Sequence, residues 1–167
     1  LPDDRREEEE RNGGKLKSAH LLQSWAMKKI CMTPHEPQTE NYTFIYIFMT
    51  ETEKLVKACI AGIQEKKGKK IRVVDLEGID ETITKYMVIC EGNSPTQVAA
   101  ITESVRDFAR KEAASKPTGV DGTRNNIWVA IDFTDVVVHI FVPDAREFYD
   151  VDNLWEDAEI NDIPDLD

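Results

Sequence analysis

Basic residues are in short supply in this chain, with 21 Lys and Arg against 32 Asp and Glu and a formal charge of −11. Non-specific binding to nucleic acid depends on Lys and Arg neutralising phosphates, so this balance works against tight non-specific binding, predicts little direct nucleic-acid contact and favours a basic partner. Cysteine is equally sparse. Cys31, Cys59 and Cys90 are odd in number and have no CxxC spacing, which leaves neither a disulfide framework nor a zinc site. Each reads as an isolated thiol in a reducing compartment. Long apolar runs are missing too: none approaches the roughly 20 residues needed to cross a bilayer. A soluble, cytoplasmic protein without membrane contact is expected. Histidine is limited to His20, His35 and His139, too few and too scattered for a three-ligand metal centre, so no cofactor is expected.

What is present divides at residue 48. The length of 167 residues suits one globular domain with tails. Residues 1–48 open on a dense mixed-charge run, contain Pro34 and Pro37, and sustain no period. They read as an extension outside the domain, disordered or foreign to the native chain. Acids at its start argue against an organelle transit peptide. Met49-Thr-Glu-Thr-Glu53 resembles a chain start followed by a helix cap, so the domain is drawn over 49–160, with an acidic tail at 161–167.

Within the domain, Leu55, Val56, Cys59, Ile60 and Ile63 recur at helical spacing, with Gly68 past the end. Ile71–Leu76 reads as a short strand, and Tyr86–Cys90 is the near-continuous apolar run of a strand covered on both faces. Ser94 and Pro95 suit the cap and first position of a second helix, whose stripe is Val98, Ile101, Val105, Phe108 and Ala109. Residues 115–126 read as loop. Trp128–Phe141 then supplies two strands joined by a tight turn at Thr134 and Asp135, and Arg146–Tyr149 with Leu154 and Trp155 suggests a short aromatic helix. From Asp150 onward there are eight acids and no basic residue, which reads as a solvated, partly disordered tail. The order helix, strand, strand, helix, strand, strand, short helix predicts an α/β sandwich with a mixed sheet flanked by helices.

Three chemistries compete for the polar residues. Alternation puts Trp128, Ala130 and Asp132 on one face of their strand, and Asp135, Val137, His139 and Phe141 on one face of the next. His139 could therefore approach a carboxylate across the pair, although a lone strand histidine is usually a packing residue. Gly92-Asn93-Ser94, between a strand and a helix, could seat an anion on backbone N–H groups, or could simply be the capped turn it resembles. Trp128, sharing a face with Asp132, is either core or the aromatic anchor of an acidic interface.

Asp135-Val-Val-Val-His-Ile-Phe141, followed by Arg146-Glu-Phe-Tyr149 and Leu154-Trp155 and preceded by Trp128, resembles the Iojap-like ribosomal silencing factors. Ile83–Cys90 and Gly92-Asn-Ser94 extend the likeness, which runs in order from about residue 50 to 159. Two positions depart from the family: Lys85 replaces a usual Asp, and Thr134 stands where Gly commonly precedes the Asp-Val-Val-Val-His run. Residues 1–48 have no counterpart.

The resemblance implies an α/β sheet similar to nucleotidyltransferases but without established catalysis, and a protein that is often a homodimer when free. It implies binding to the large ribosomal subunit through its ribosomal protein number fourteen, at the face that meets the small subunit. Subunit joining would thereby be blocked and translation repressed. Matching the family segment places Trp128, Asp132, Phe133 and Asp135 at the interface, with Arg146 and Tyr149 as structural support. The competing reading is a nucleotidyltransferase-like enzyme or nucleotide-binding protein using the Gly92–Ser94 turn with Asp132 and Asp135.

Overall fold

A computed structural model describes residues 49–166. The expectations for residues 1–48, including the extension and the thiol of Cys31, fall outside the described residues.

Helix α1 (Glu51–Glu65) starts where a reciprocal cap can form. Thr50 Oγ1 accepts from the Glu53 N–H at 3.1 Å, and the Thr50 N–H donates to Glu53 Oε2 at 2.7 Å. Its apolar stripe is buried from Leu55 to Ile63. Strand β1 (Lys69–Asp75) and strand β2 (Tyr86–Glu91) pair antiparallel, with an irregularity between Lys69 and Arg72. All six residues of β2 are buried, as its unbroken apolar sequence requires. Helix α2 (Pro95–Glu112) begins with Ser94 Oγ accepting from the Gln97 N–H and Pro95 in its first turn.

Strand β3 (Gly119–Asp121) is a three-residue piece inside the stretch expected to be loop. Its N–H and carbonyl groups pair with β4 (Trp128–Asp132), a long-range match that no local pattern announces. The hairpin of β4 with β5 (Val136–Phe141) forms as expected around Thr134 and Asp135. Helix α3 (Pro143–Tyr149) and a 3-10 turn at Val151–Asn153 follow.

The chain after Asp150 departs from expectation. It is not simply a solvated tail: Asp152 is buried, and β6 (Glu159–Ile163) pairs antiparallel with β1, crossing the limit drawn at residue 160. Arg72 explains why an acid-rich segment can join the sheet, since its guanidinium donates to both carboxylate oxygens of Asp162, at 2.6 and 3.0 Å.

The result is a mixed six-stranded sheet in the order β3-β4-β5-β2-β1-β6, with β2 and β5 as its parallel pair. This is the expected α/β class. Helices α1 and α2 cover one face, where Val129, Ile131, Val136, Val138 and Ile140 are buried. Gly62 lets the two helices approach, because a Cβ there would stand 2.8 Å from Val105 Cα. The opposite face carries a second cluster, in which Val74, Leu76, Met87, Ile89, Phe141 and Ala145 are packed on by Trp128, Val151 and Trp155.

Candidate interaction face

Strand alternation sends Trp128, Ala130 and Asp132 of β4 to the face away from the two long helices, together with Val137, His139 and Phe141 of β5. In register, Trp128 opposes Phe141, Ala130 opposes His139, and Asp132 opposes Val137. The indole of Trp128 stacks on Phe141 with ring centroids 5.0 Å apart and an interplanar angle of 21°. Tyr149, from the end of α3, packs against the same indole at 4.8 Å. Phe148 meets Tyr149 edge-on at 5.0 Å and is 81% exposed. Trp128 is thus half-buried, one member of an aromatic row that begins in the core and ends in solvent.

The loop before β4 sets where this row starts. Gly122 holds φ +88°, and a side chain there would collide with the Trp128 carbonyl.

The four residues expected at an interface do not form one cluster. Trp128 and Asp132 share a face but sit at opposite ends of β4, roughly 13 Å apart at the usual rise per residue. Asp132 is exposed, and its Oδ1 accepts from the Thr134 N–H at 2.7 Å. Phe133 points the other way and is only 6% exposed, so it is packed on the long-helix side of the sheet. Asp135 stands at the hairpin tip, where its Oδ2 accepts from Lys85 Nζ at 2.8 Å and from Thr52 Oγ1 at 3.2 Å. The hydrogen bond from Lys85 holds the Asp135 carboxyl below the usual carboxylate range. Lys85 therefore neutralises one of the two acids expected to frame Trp128.

Among the described residues His139 reaches no carboxylate. Its Nδ1 accepts a hydrogen bond from Trp128 Nε1 at 3.1 Å. Burial lowers its pKa to about 4, so the ring is neutral at ordinary pH with its proton on Nε2. Cys59 and Cys90 are fully buried, and desolvation raises both thiols far above their usual range, which leaves them protonated and unreactive.

The nucleotide-site elements are also kept apart. Asp135 lies beside the start of β2, whereas Gly92–Ser94 follows its end, a separation of roughly 20 Å along the strand. At the turn the Asn93 N–H donates to Gln97 Oε1 at 2.7 Å, the Gln97 N–H to Ser94 Oγ and the Gly92 N–H to the Phe141 carbonyl. These three N–H groups are taken by the chain itself, and at that distance the two acids cannot converge on anything seated at the turn.

The family likeness marks Tyr149 as structural support, and Phe148 carries no such mark. The sequence Arg146-Glu-Phe-Tyr149 puts two aromatics side by side on a short helix, which buries at most one of them. That adjacency is the available signal.

A family model described as ribosomal silencing factor during starvation matches residues 49–167. The chain belongs to this family. Among ribosomal silencing factors, a relative from Bacillus subtilis is 36% identical over 113 residues, covering 66% of this chain and 92% of its own. The chloroplastic protein Iojap of Zea mays is 35% identical over 81 residues, which is 48% of this chain and 35% of that protein. A crystal structure of a Chromobacterium violaceum protein superposes with a TM-score of 0.60 at 33% identity, covering 64% of this chain and 88% of the other. Among the described residues of this silencing factor, no helix is long and apolar enough to cross a membrane.

Proposed function

We propose that this silencing factor binds the large ribosomal subunit through ribosomal protein number fourteen and blocks joining with the small subunit, so repressing translation. The observation that carries the reading is the aromatic row of Phe141, Trp128, Tyr149 and Phe148, which runs from the core out to solvent on an acidic chain. Buried aromatics with one free edge are the usual energetic centre of a protein interface. The negative charge steers the chain toward a basic ribosomal protein and away from the surrounding RNA.

Trp128 is the anchor, and Asp132 is the exposed acid at the far end of the same strand, with no cation paired to it among the described residues. Asp135 reaches the partner only as the tip of its pair with Lys85, and Phe133 supports the hairpin from beneath. Occupying the joining face requires no bond to be made or broken, so no catalysis enters. The setting is the cytoplasm, and the free protein is a homodimer, which light scattering on the purified chain checks.

The test is co-sedimentation of Trp128→Ala with large subunits, together with a subunit-joining assay. A folded variant that no longer pellets and no longer blocks joining supports the reading; wild-type behaviour in both assays removes Trp128 from the interface.

A further inference from the structure

Trp128 opposes Phe141 directly, and His139 is its diagonal neighbour two residues along β5. The residue that faces His139 on β4, Ala130, is small enough to let the indole lean across toward the imidazole. The lean brings Nε1 to 3.1 Å from Nδ1, with the ring centroids 5.8 Å apart and tilted by 44°. Stacking on Phe141 and packing on Tyr149 fix the plane of the indole, but a ring turned over about its Cβ–Cγ bond would lie in the same plane, so neither contact sets which edge faces β5. A directional hydrogen bond to the ring N–H does.

We propose that His139 is a positioning residue for partner binding: it holds the Trp128 indole in one orientation before the partner arrives, as an acceptor dedicated to Nε1. This rests on the reading of Trp128 as a docking anchor. Ordering an exposed aromatic side chain on binding costs conformational entropy, and an indole already pinned on three sides has little left to lose. The imidazole can do this only while Nδ1 is unprotonated, and its burial keeps it so.

The experiment measures large-subunit binding by co-sedimentation titration for the wild type and for His139→Leu, His139→Asn, Trp128→Phe and the Trp128→Phe/His139→Leu double variant. The indole N–H resonance of Trp128 is followed by NMR in the chains that retain it. Leu removes the acceptor at similar volume, whereas the Asn carbonyl stands near the position of Nδ1. His139→Leu is expected to shift the indole resonance and weaken binding about fivefold, the net worth of one hydrogen bond. His139→Asn restores most of both, and His139→Leu adds nothing once Trp128→Phe has removed the donor.

Equal losses from His139→Leu in the wild-type chain and in the Trp128→Phe variant would overturn the positioning role, as would unchanged binding despite a shifted resonance. If Trp128→Ala binds large subunits as the wild type does, the docking reading fails instead, whatever the indole resonance shows.

Discussion

Arg146 grips Asp152 with two parallel hydrogen bonds, 2.8 Å from Nε and 2.6 Å from the terminal nitrogen, and both side chains are nearly buried. A third donor of the same guanidinium reaches the Lys70 carbonyl at 2.8 Å. One residue therefore ties α3, the 3-10 turn and β1 together, and so holds Tyr149 against Trp128. Arg146→Ala is expected to cost about 3 kcal/mol, because it leaves a buried carboxylate without its main partner. Arg146→Lys recovers only part, since an ammonium cannot make the paired contact. Urea unfolding of the three chains checks this.

The same pair sets an acid limit. The hydrogen bond from Arg146 lowers the folded-state pKa of Asp152 below its unfolded value. Its contribution to stability is therefore complete above the unfolded carboxylate pKa of about 3.9 and is lost as pH falls through the lower folded value. Asp152→Asn is expected to reduce stability at neutral pH and to flatten the decline below about pH 4. Thermal melts across that range measure both.

His139 acts in a different window. Its pKa is about 4 in the folded chain and about 6.5 when unfolded, so between those values the unfolded chain binds the extra proton. Stability contributed by the neutral ring is full above about pH 6.5 and falls as pH drops toward 4. His139→Asn is expected to lack this slope while keeping an acceptor for Trp128. Denaturant midpoints at pH 7 and pH 5 in the two chains provide the comparison.

Thr134 carries φ +74° at the hairpin tip, with the Asp135 N–H bonded back to the Phe133 carbonyl at 3.0 Å. A β-branched residue is disfavoured there, and glycine is the usual solution at this position of a two-residue hairpin. Thr134→Gly is expected to stabilise the chain by about 1 kcal/mol, the relief of strain outweighing the entropy added to the unfolded state. An unchanged or lower melting temperature would refute this.

Gly62 is expected to resist substitution. A methyl group at this position would meet the backbone of α2 near Val105, so Gly62→Ala should cost about 2 kcal/mol by forcing the helices apart. Gly119→Ala, with open space around its Cα, serves as the control and should change stability by less than about 0.5 kcal/mol.

The elements legible in the sequence are those whose pattern is local. Both long helices follow from their stripes, with Ser94 and Pro95 marking the start of the second, and the β4–β5 hairpin from its alternation; that Thr50 caps the first is shown by the structure. Strands β3 and β6 are not legible. Gly119–Asp121 is too short to show a period, and Glu159–Ile163 looks like solvated acid until Arg72 is brought beside Asp162. Of the four residues expected at an interface, alternation pairs Trp128 with Asp132 on one face and sets Phe133 opposite to them. It cannot show that Asp135 is claimed by Lys85, which lies fifty residues earlier in the chain.

The sequence by itself determined the class of fold, the family and that Trp128 shares a face of its strand with Asp132, because periodicity, capping and ordered motifs are properties of neighbouring residues. Only the tertiary structure decided what each polar group is free to do. Asp135 and Asp152 are committed to cations brought in by distant or turned-back segments, and His139 is committed to an indole on the facing strand. Hydrogen bonds and ion pairs act over about 3 Å, so their partners are fixed by strand register and helix docking, which depend on contacts across the whole domain.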